Sequence, residues 1–119
     1  MSAWVFIEAG TGRVYLGFDA DSGGCKSFVL APNTGDIRFQ ENPSYSYTEL
    51  TIMPHSFTTY RWYYTEVENL GGGEVEGRLY DEAGVLLNSL RQRYASVDTG
   101  GAAMRSFNGN RIDLMKACY

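Results

Sequence analysis

The segment EVEGRLY, from Glu74 to Tyr80, alternates Val75, Gly77 and Leu79 with Glu74, Glu76 and Arg78. Successive side chains of a strand point to opposite faces, so a period of two predicts a strand with one face on a core and the other in water. A helix would need its apolar residues three and four apart. Strand-length runs broken by turn residues recur along the chain at intervals of about 8 to 12 residues, the rhythm of an antiparallel β-sandwich or barrel. The composition agrees: 14 Gly, 9 Tyr, 6 Phe and 2 Trp stand against 3 Pro, a mixture suited to short strands and tight turns.

The predicted fold is therefore all-β, an antiparallel sandwich of immunoglobulin-like or jelly-roll-like type with about 8 to 10 short strands in a single domain over residues 1–119. From Trp4 to Glu8 both parities are apolar, which predicts a strand covered on both faces. After AGTG the run from Arg13 to Phe18 alternates again, and the two segments read as a hairpin. Lys26 to Leu30 and Ile37 to Gln40 make a second hairpin about APNTGD. A strand from Tyr45 to Met53 is broken by MPHS, and Phe57 to Val67 is the longest and most aromatic candidate. Ala102 to Phe107 and Arg111 to Cys118 flank an Asn-Gly turn and read as a closing hairpin. One region supports an alternative: Leu86, Leu87, Leu90, Tyr94 and Val97 fall at helical spacing, which would give an α+β fold with one helix between Leu86 and Val97.

Several function classes lose their footing in the residue inventory. A net charge of −4 with no basic run argues against nucleic acid as a partner. No apolar run approaches the ~20 residues of a spanning helix, so no membrane insertion is expected. The opening MSAWVFIEAG lacks the charged and apolar regions of a signal peptide, which predicts a cytoplasmic protein unless the sequence begins at a mature start. Cys25 and Cys118 either close a long loop, worth about 4 to 5 kcal/mol on a chain-entropy account, or are two small buried thiols, the reading that suits a reducing compartment.

No cofactor or metal is expected. His55 is the lone histidine and follows Pro54 in a loop, which leaves neither a histidine metal cluster nor a supported catalytic triad. Asp19, Asp21 and Gly24 open like a calcium loop, but the twelfth position, where a bidentate acid belongs, is Leu30, so the stretch reads as an acidic turn. Gly71, Gly72 and Gly73 precede Glu74, which would repel phosphate, and read as a hairpin loop. Glu66 with Glu68 and Glu74 with Glu76 share strand faces, and on adjacent strands would form an acidic patch. Paired acids are what a carboxylate-dependent hydrolase uses, although the same spacing describes a solvated face, the commoner case.

The aromatic residues give the positive signal. Tyr60, Trp62 and Tyr64 line one face of a strand, with Tyr45 and Tyr47 upstream. Large rigid rings with polar tips suit a protein interface, or stacking on a sugar. The expected function is a non-enzymatic module for protein–protein contact or self-association, using these tyrosines and Trp62 together with open sheet edges. Binding of a small ligand or carbohydrate through the aromatic face is the alternative, and the hydrolase the least expected.

Tyr63 to Phe107 also carries a resemblance. The stretch YYTEVENLGGGEVEGRLYDEAGVLL is similar to the FxLYD type of immunoglobulin-like domain, in its strand ending Val-Glu-Asn, the triplet Leu79-Tyr80-Asp81, the turn through Gly84 and the apolar continuation. The resemblance implies a sandwich with a binding or spacer role in cell-surface or secreted proteins, with no catalytic residues, and a strand after Gly84.

Overall fold

A computed structural model describes residues 1–44, 46, 48–97, 101–107 and 111–116, by backbone path alone from residue 103 onward. Among the described residues there are ten strands and no helix. In chain order they are β1 (Ser2–Ile7), β2 (Arg13–Asp21), β3 (Gly24–Ala31), β4 (Asp36–Pro43), β5 (Thr48–Pro54), β6 (Arg61–Gly71), β7 (Glu74–Tyr80), β8 (Leu86–Arg93), β9 (Gly101–Phe107) and β10 (Arg111–Lys116). They form two five-stranded antiparallel sheets. The front sheet has the order β10-β1-β6-β7-β8 and the back sheet β5-β4-β3-β2-β9. The all-β antiparallel sandwich expected from the alternation is what the chain forms.

Pairing departs from the sequence reading at both ends of the chain. The segments β1 and β2 are not a hairpin: β1 lies between β6 and β10 in the front sheet, whereas β2 pairs with β3 and β9 in the back one. Likewise β9 and β10 belong to different sheets, so no closing hairpin forms, and the turn at 108–110 lies outside the described residues. The hairpin β3–β4 is present in the expected register, with Phe28 opposite Phe39. β1 has one covered parity, Ala3, Val5 and Ile7, while Trp4 and Phe6 are half-buried on the outer face. Phe57 belongs to the loop before β6, which begins only at Arg61.

The helix at Leu86 to Val97 is replaced by β8. The register between β7 and β8 slips where Leu79 pairs Asn88 and Tyr80 pairs Leu86, leaving Leu87 in a bulge. An extra residue in one strand breaks the period of two, and the break mimics helical spacing. Leu90 and Tyr94 are buried, whereas Leu86 and Leu87 are exposed, so these leucines do not form the single apolar stripe a helix would bury.

The core lies between the sheets. Val5, Ile7, Val75 and Leu79 from the front sheet meet Leu16, Phe28, Leu30, Ile37 and Phe39 from the back. Phe39 is its hub, tilted against Phe28 at 5.2 Å and edge-on to Phe18 at 6.4 Å and to Tyr94 at 6.2 Å, arrangements that aromatic quadrupoles favour. Tyr94, beyond β8, crosses to the back sheet and donates its phenol hydrogen to Gln40 O at 2.9 Å. Burial holds that phenol protonated by pushing its pKa well up. Gly77 is essential to the packing, because a Cβ there would lie 2.5 Å from Phe28 Cε1. The ring rests on bare backbone.

The edges β5 and β8 meet along one side through side chains. Asn88 Nδ2 donates to Pro54 O at 3.1 Å, and Asn88 Oδ1 accepts the Ser89 N–H at 2.9 Å. Where the β4–β5 register shifts, Gln92 Oε1 accepts the Thr51 N–H at 3.1 Å. The open edge anticipated from sequence is therefore spanned by amides on this side. His55 completes the seam. Its ring packs on Phe57 at 4.8 Å, and its Nδ1 lies 3.4 Å from Asn88 Nδ2.

Two predictions follow from this packing. Gly77→Ala is expected to lower the unfolding free energy by about 1–3 kcal/mol, the usual range for an overpacked core; Phe28→Leu in the same chain should recover part of it, in non-additive fashion measurable by urea denaturation. Burial lowers the pKa of His55 in the folded chain. The neutral ring is the folded form, so its contribution is complete above the unfolded pKa of about 6.5 and is lost as pH falls through the lower folded value. Urea midpoints recorded down that range should decline, and His55→Gln should flatten the decline.

Candidate functional site

β6 is the central strand of the front sheet, and its alternation divides it. Tyr63, Thr65 and Val67 are buried against the core, so Tyr63 leaves the surface. Trp62, Tyr64 and Glu66 point outward on the other parity. The register sets Trp4 opposite Tyr64, Phe6 opposite Trp62, and Tyr64 opposite Tyr80. Cross-strand neighbours on one face touch. Trp4 packs on Tyr64 at 5.1 Å and 54°, Phe6 on Trp62 at 5.1 Å and 45°, and Tyr64 on Tyr80 at 6.0 Å and 49°. Tyr60 joins from the turn before β6, edge-on to Phe6 at 6.4 Å. It holds a φ of 60°, gives its N–H to Ile7 O at 2.7 Å, and is 72% exposed.

Three of the residues expected at the site, Tyr60, Trp62 and Tyr64, are thus brought together. Tyr45 and Tyr47 lie outside the described residues, as does Cys118. Trp4, Phe6 and Tyr80 complete the aromatic patch and were missed by reasoning along the sequence. A signal for the first two exists in the shared parity of Trp4 and Phe6, although a run apolar on both parities predicts cover on both faces.

Beyond Tyr64 and Tyr80 the same outer face becomes charged. Arg78 lies opposite Glu66, and Glu68 opposite Glu76. Arg78 Nη1 bonds Glu68 Oε2 at 3.0 Å and Glu76 Oε1 at 2.8 Å, while Arg91 Nε holds Glu76 Oε2 at 2.6 Å. Arg93 reaches Glu74 at 3.2 Å. The acidic patch expected from the four glutamates is interleaved with arginines. Arg78, and then Arg91, hold the Glu76 carboxyl below its usual range, the opposite of the raised acid that a hydrolase pair requires. At the boundary, burial and the neighbouring Glu66 push the Tyr80 phenol pKa up.

No known protein family matches this chain, and no curated protein does. The fold has a counterpart in the crystal structure of a protein of unknown function, SO2946 from Shewanella oneidensis MR-1, with a TM-score of 0.56 at 11% identity. The match covers 93% of this chain and 47% of that one, so the chain spans about half the length of its structural neighbour. That likeness concerns the fold alone.

The polar groups of the Asp19–Gly24 turn and of the back sheet's outer face are consumed in structure. Asp19 pairs with Lys26 at 2.6 Å, and Asp21 Oδ1 accepts the Gly23 N–H at 2.6 Å, which makes the acidic stretch a hairpin turn. Among the described residues no three metal-ligating side chains gather. On the outer face of the back sheet Arg38 is buried between Asp36, at 2.5 Å, and Glu49, at 2.8 Å. The ladder continues along the same parity of β4, where Gln40 Nε2 donates to Glu49 Oε1 at 2.9 Å and Asn42 Nδ2 to Gln40 Oε1 at 3.0 Å.

Arg78→Met removes the shared partner of Glu66, Glu68 and Glu76. It is expected to cost roughly 1 kcal/mol, less at high salt, since exposed pairs are individually weak and the cluster is partly sheltered. The Glu76 resonance followed by NMR should then titrate closer to an ordinary glutamate.

Proposed function

We propose that this protein is a β-sandwich interaction module that works by surface contact with another protein, using the aromatic half of the front sheet. The observation that carries the reading is the patch of Trp4, Phe6, Tyr60, Trp62, Tyr64 and Tyr80 on one outer face. Its rings are inclined to one another by 45° to 65°. Mutually packed rings are held in place before a partner arrives, so little side-chain freedom is lost on contact. Tryptophan and tyrosine anchored among other contacts are the residues that dominate binding energy at protein interfaces. A flat shelf for an extended sugar chain would instead call for rings lying parallel to the sheet, and the tilts favour the protein reading. The charged half beside the patch supplies a polar rim. The resemblance to FxLYD domains, with their binding or spacer role, points the same way.

Light scattering over a concentration series, with affinity capture alongside, tests the proposal. Self-association or a captured partner is expected, lost in Tyr60→Asp and weakened at least about ten-fold in Trp62→Ser, the scale of an interface anchor. A chain that stays monomeric and captures nothing counts against the module. So does a partner retained by both variants.

A further inference from the structure

The turn joining β7 to β8 is built by Asp81. Its Oδ1 accepts the N–H groups of Ala83 and Val85, both at 2.9 Å, and Gly84 takes a φ of 84°. The next residue reaches back to β6: Glu82 Oε1 accepts the Trp62 N–H at 3.0 Å, beyond the last pairing of β6 with β7 at Tyr64 and Tyr80. A cleft of about 350 Å3 lies there, lined by Arg61, Trp62, Tyr63, Asp81, Glu82 and Leu87 together with two small residues of the flanking turns.

The polar groups of this cleft are held but incompletely used. Each carboxylate is anchored through one oxygen on backbone amides, and Asp81 Oδ2 and Glu82 Oε2 have no partner among the described residues. The guanidinium of Arg61 also makes no hydrogen bond or ion pair among them, although it shares the cleft with both acids. A flexible arginine beside two carboxylates would ordinarily close onto one. Here donors and acceptors remain apart. Trp62 also lines the cleft, its ring steadied by Phe6 at 5.1 Å, and Leu87 adds exposed apolar surface.

We propose that this cleft binds a neutral saccharide ring. Sugar hydroxyls both donate and accept, so one ring can give hydrogens to Asp81 Oδ2 and Glu82 Oε2 while accepting from Arg61. Its C–H face is the apolar surface that an indole and a leucine can cover. The volume falls in the range of small-ligand sites, about 300–1,000 Å3. Other ligand classes fit worse. A cationic ligand would suit the acids but meet Arg61, and an anionic one would suit Arg61 but meet Asp81 and Glu82. A wholly apolar ligand would strip water from all three charges with nothing in return. The site needs no protein on the front face, so it stands apart from the interface reading even though Trp62 belongs to both.

Fluorescence titration tests it. The chain has 2 Trp, so in a Trp4→Phe background Trp62 reports alone. The probes are glucose, galactose, mannose, N-acetylglucosamine and their short oligomers, with glucosamine and glucuronate as charged counterparts. A saturable change with at least one neutral sugar is expected, with affinity lowered about ten-fold in Arg61→Ala, the loss of one or two hydrogen bonds to a charged group. The Arg61 side chain makes no hydrogen bond or ion pair among the described residues, and Glu82→Gln, which keeps an acceptor for the Trp62 N–H, provides a second variant that should also weaken binding. A flat response across the neutral panel overturns the proposal. Undiminished binding in both variants, or tighter binding of either charged counterpart, overturns it as well.

Discussion

The two sheets are brought to their working distance by the ring of Phe28 lying on the bare backbone of Gly77. A side chain on one strand and the absence of one on another make a single contact, and neighbouring positions are tuned to it. Phe39 packs on Phe28, Phe18 and Tyr94 stand edge-on to Phe39, and Tyr94 ties the chain beyond β8 to Gln40 of the back sheet. Protein interiors are packed as densely as organic crystals, so an added methyl group at such a point cannot be absorbed by slack.

Because the inner faces secure the sandwich, the outer face of the front sheet is free to vary. It is divided across β6 and β7. On one side of Tyr64 and Tyr80 rings pack on rings, and on the other Glu66, Glu68 and Glu76 surround Arg78. Both halves follow from register, which sets like beside like in the first and opposite charges together in the second. A slip of one residue would turn Trp62 and Tyr64 inward and expose Tyr63 and Val67. The surface chemistry is therefore fixed by the same pairing that fixes the core.

Local patterns were legible in the sequence, and long-range pairing was not. Glu74–Tyr80 is a strand with the expected alternation and bounds, and the turn through Asp81 and Gly84 has the amide bonds and positive φ that its residues suggest. Alternation tells which parity is covered, but not by which sheet. β1 therefore looked like the partner of β2, when its neighbours lie far along the chain. Trp4 and Phe6 were misplaced for a related reason. Rings that cover one another on an outer face look like core in a string of letters. The leucines after Gly84 misled because one bulged residue shifts the phase of everything beyond it. At the cleft, the turn was readable as a turn, whereas its closeness to Arg61 and Trp62 depends on a strand pairing that no local motif encodes.

The amides that join β5 to β8 bear on how copies of this protein could assemble. Asn88 and Gln92 already occupy the Pro54 carbonyl and the Thr51 N–H along that side. A strand arriving there would have to displace bonds before making its own, so end-to-end growth of a continuous sheet is disfavoured along this edge. Self-association through the aromatic face, were it the contact proposed above, would have a different geometry. Two identical patches meeting about a two-fold axis use each other up, and the complex closes as a pair instead of extending into a fibre.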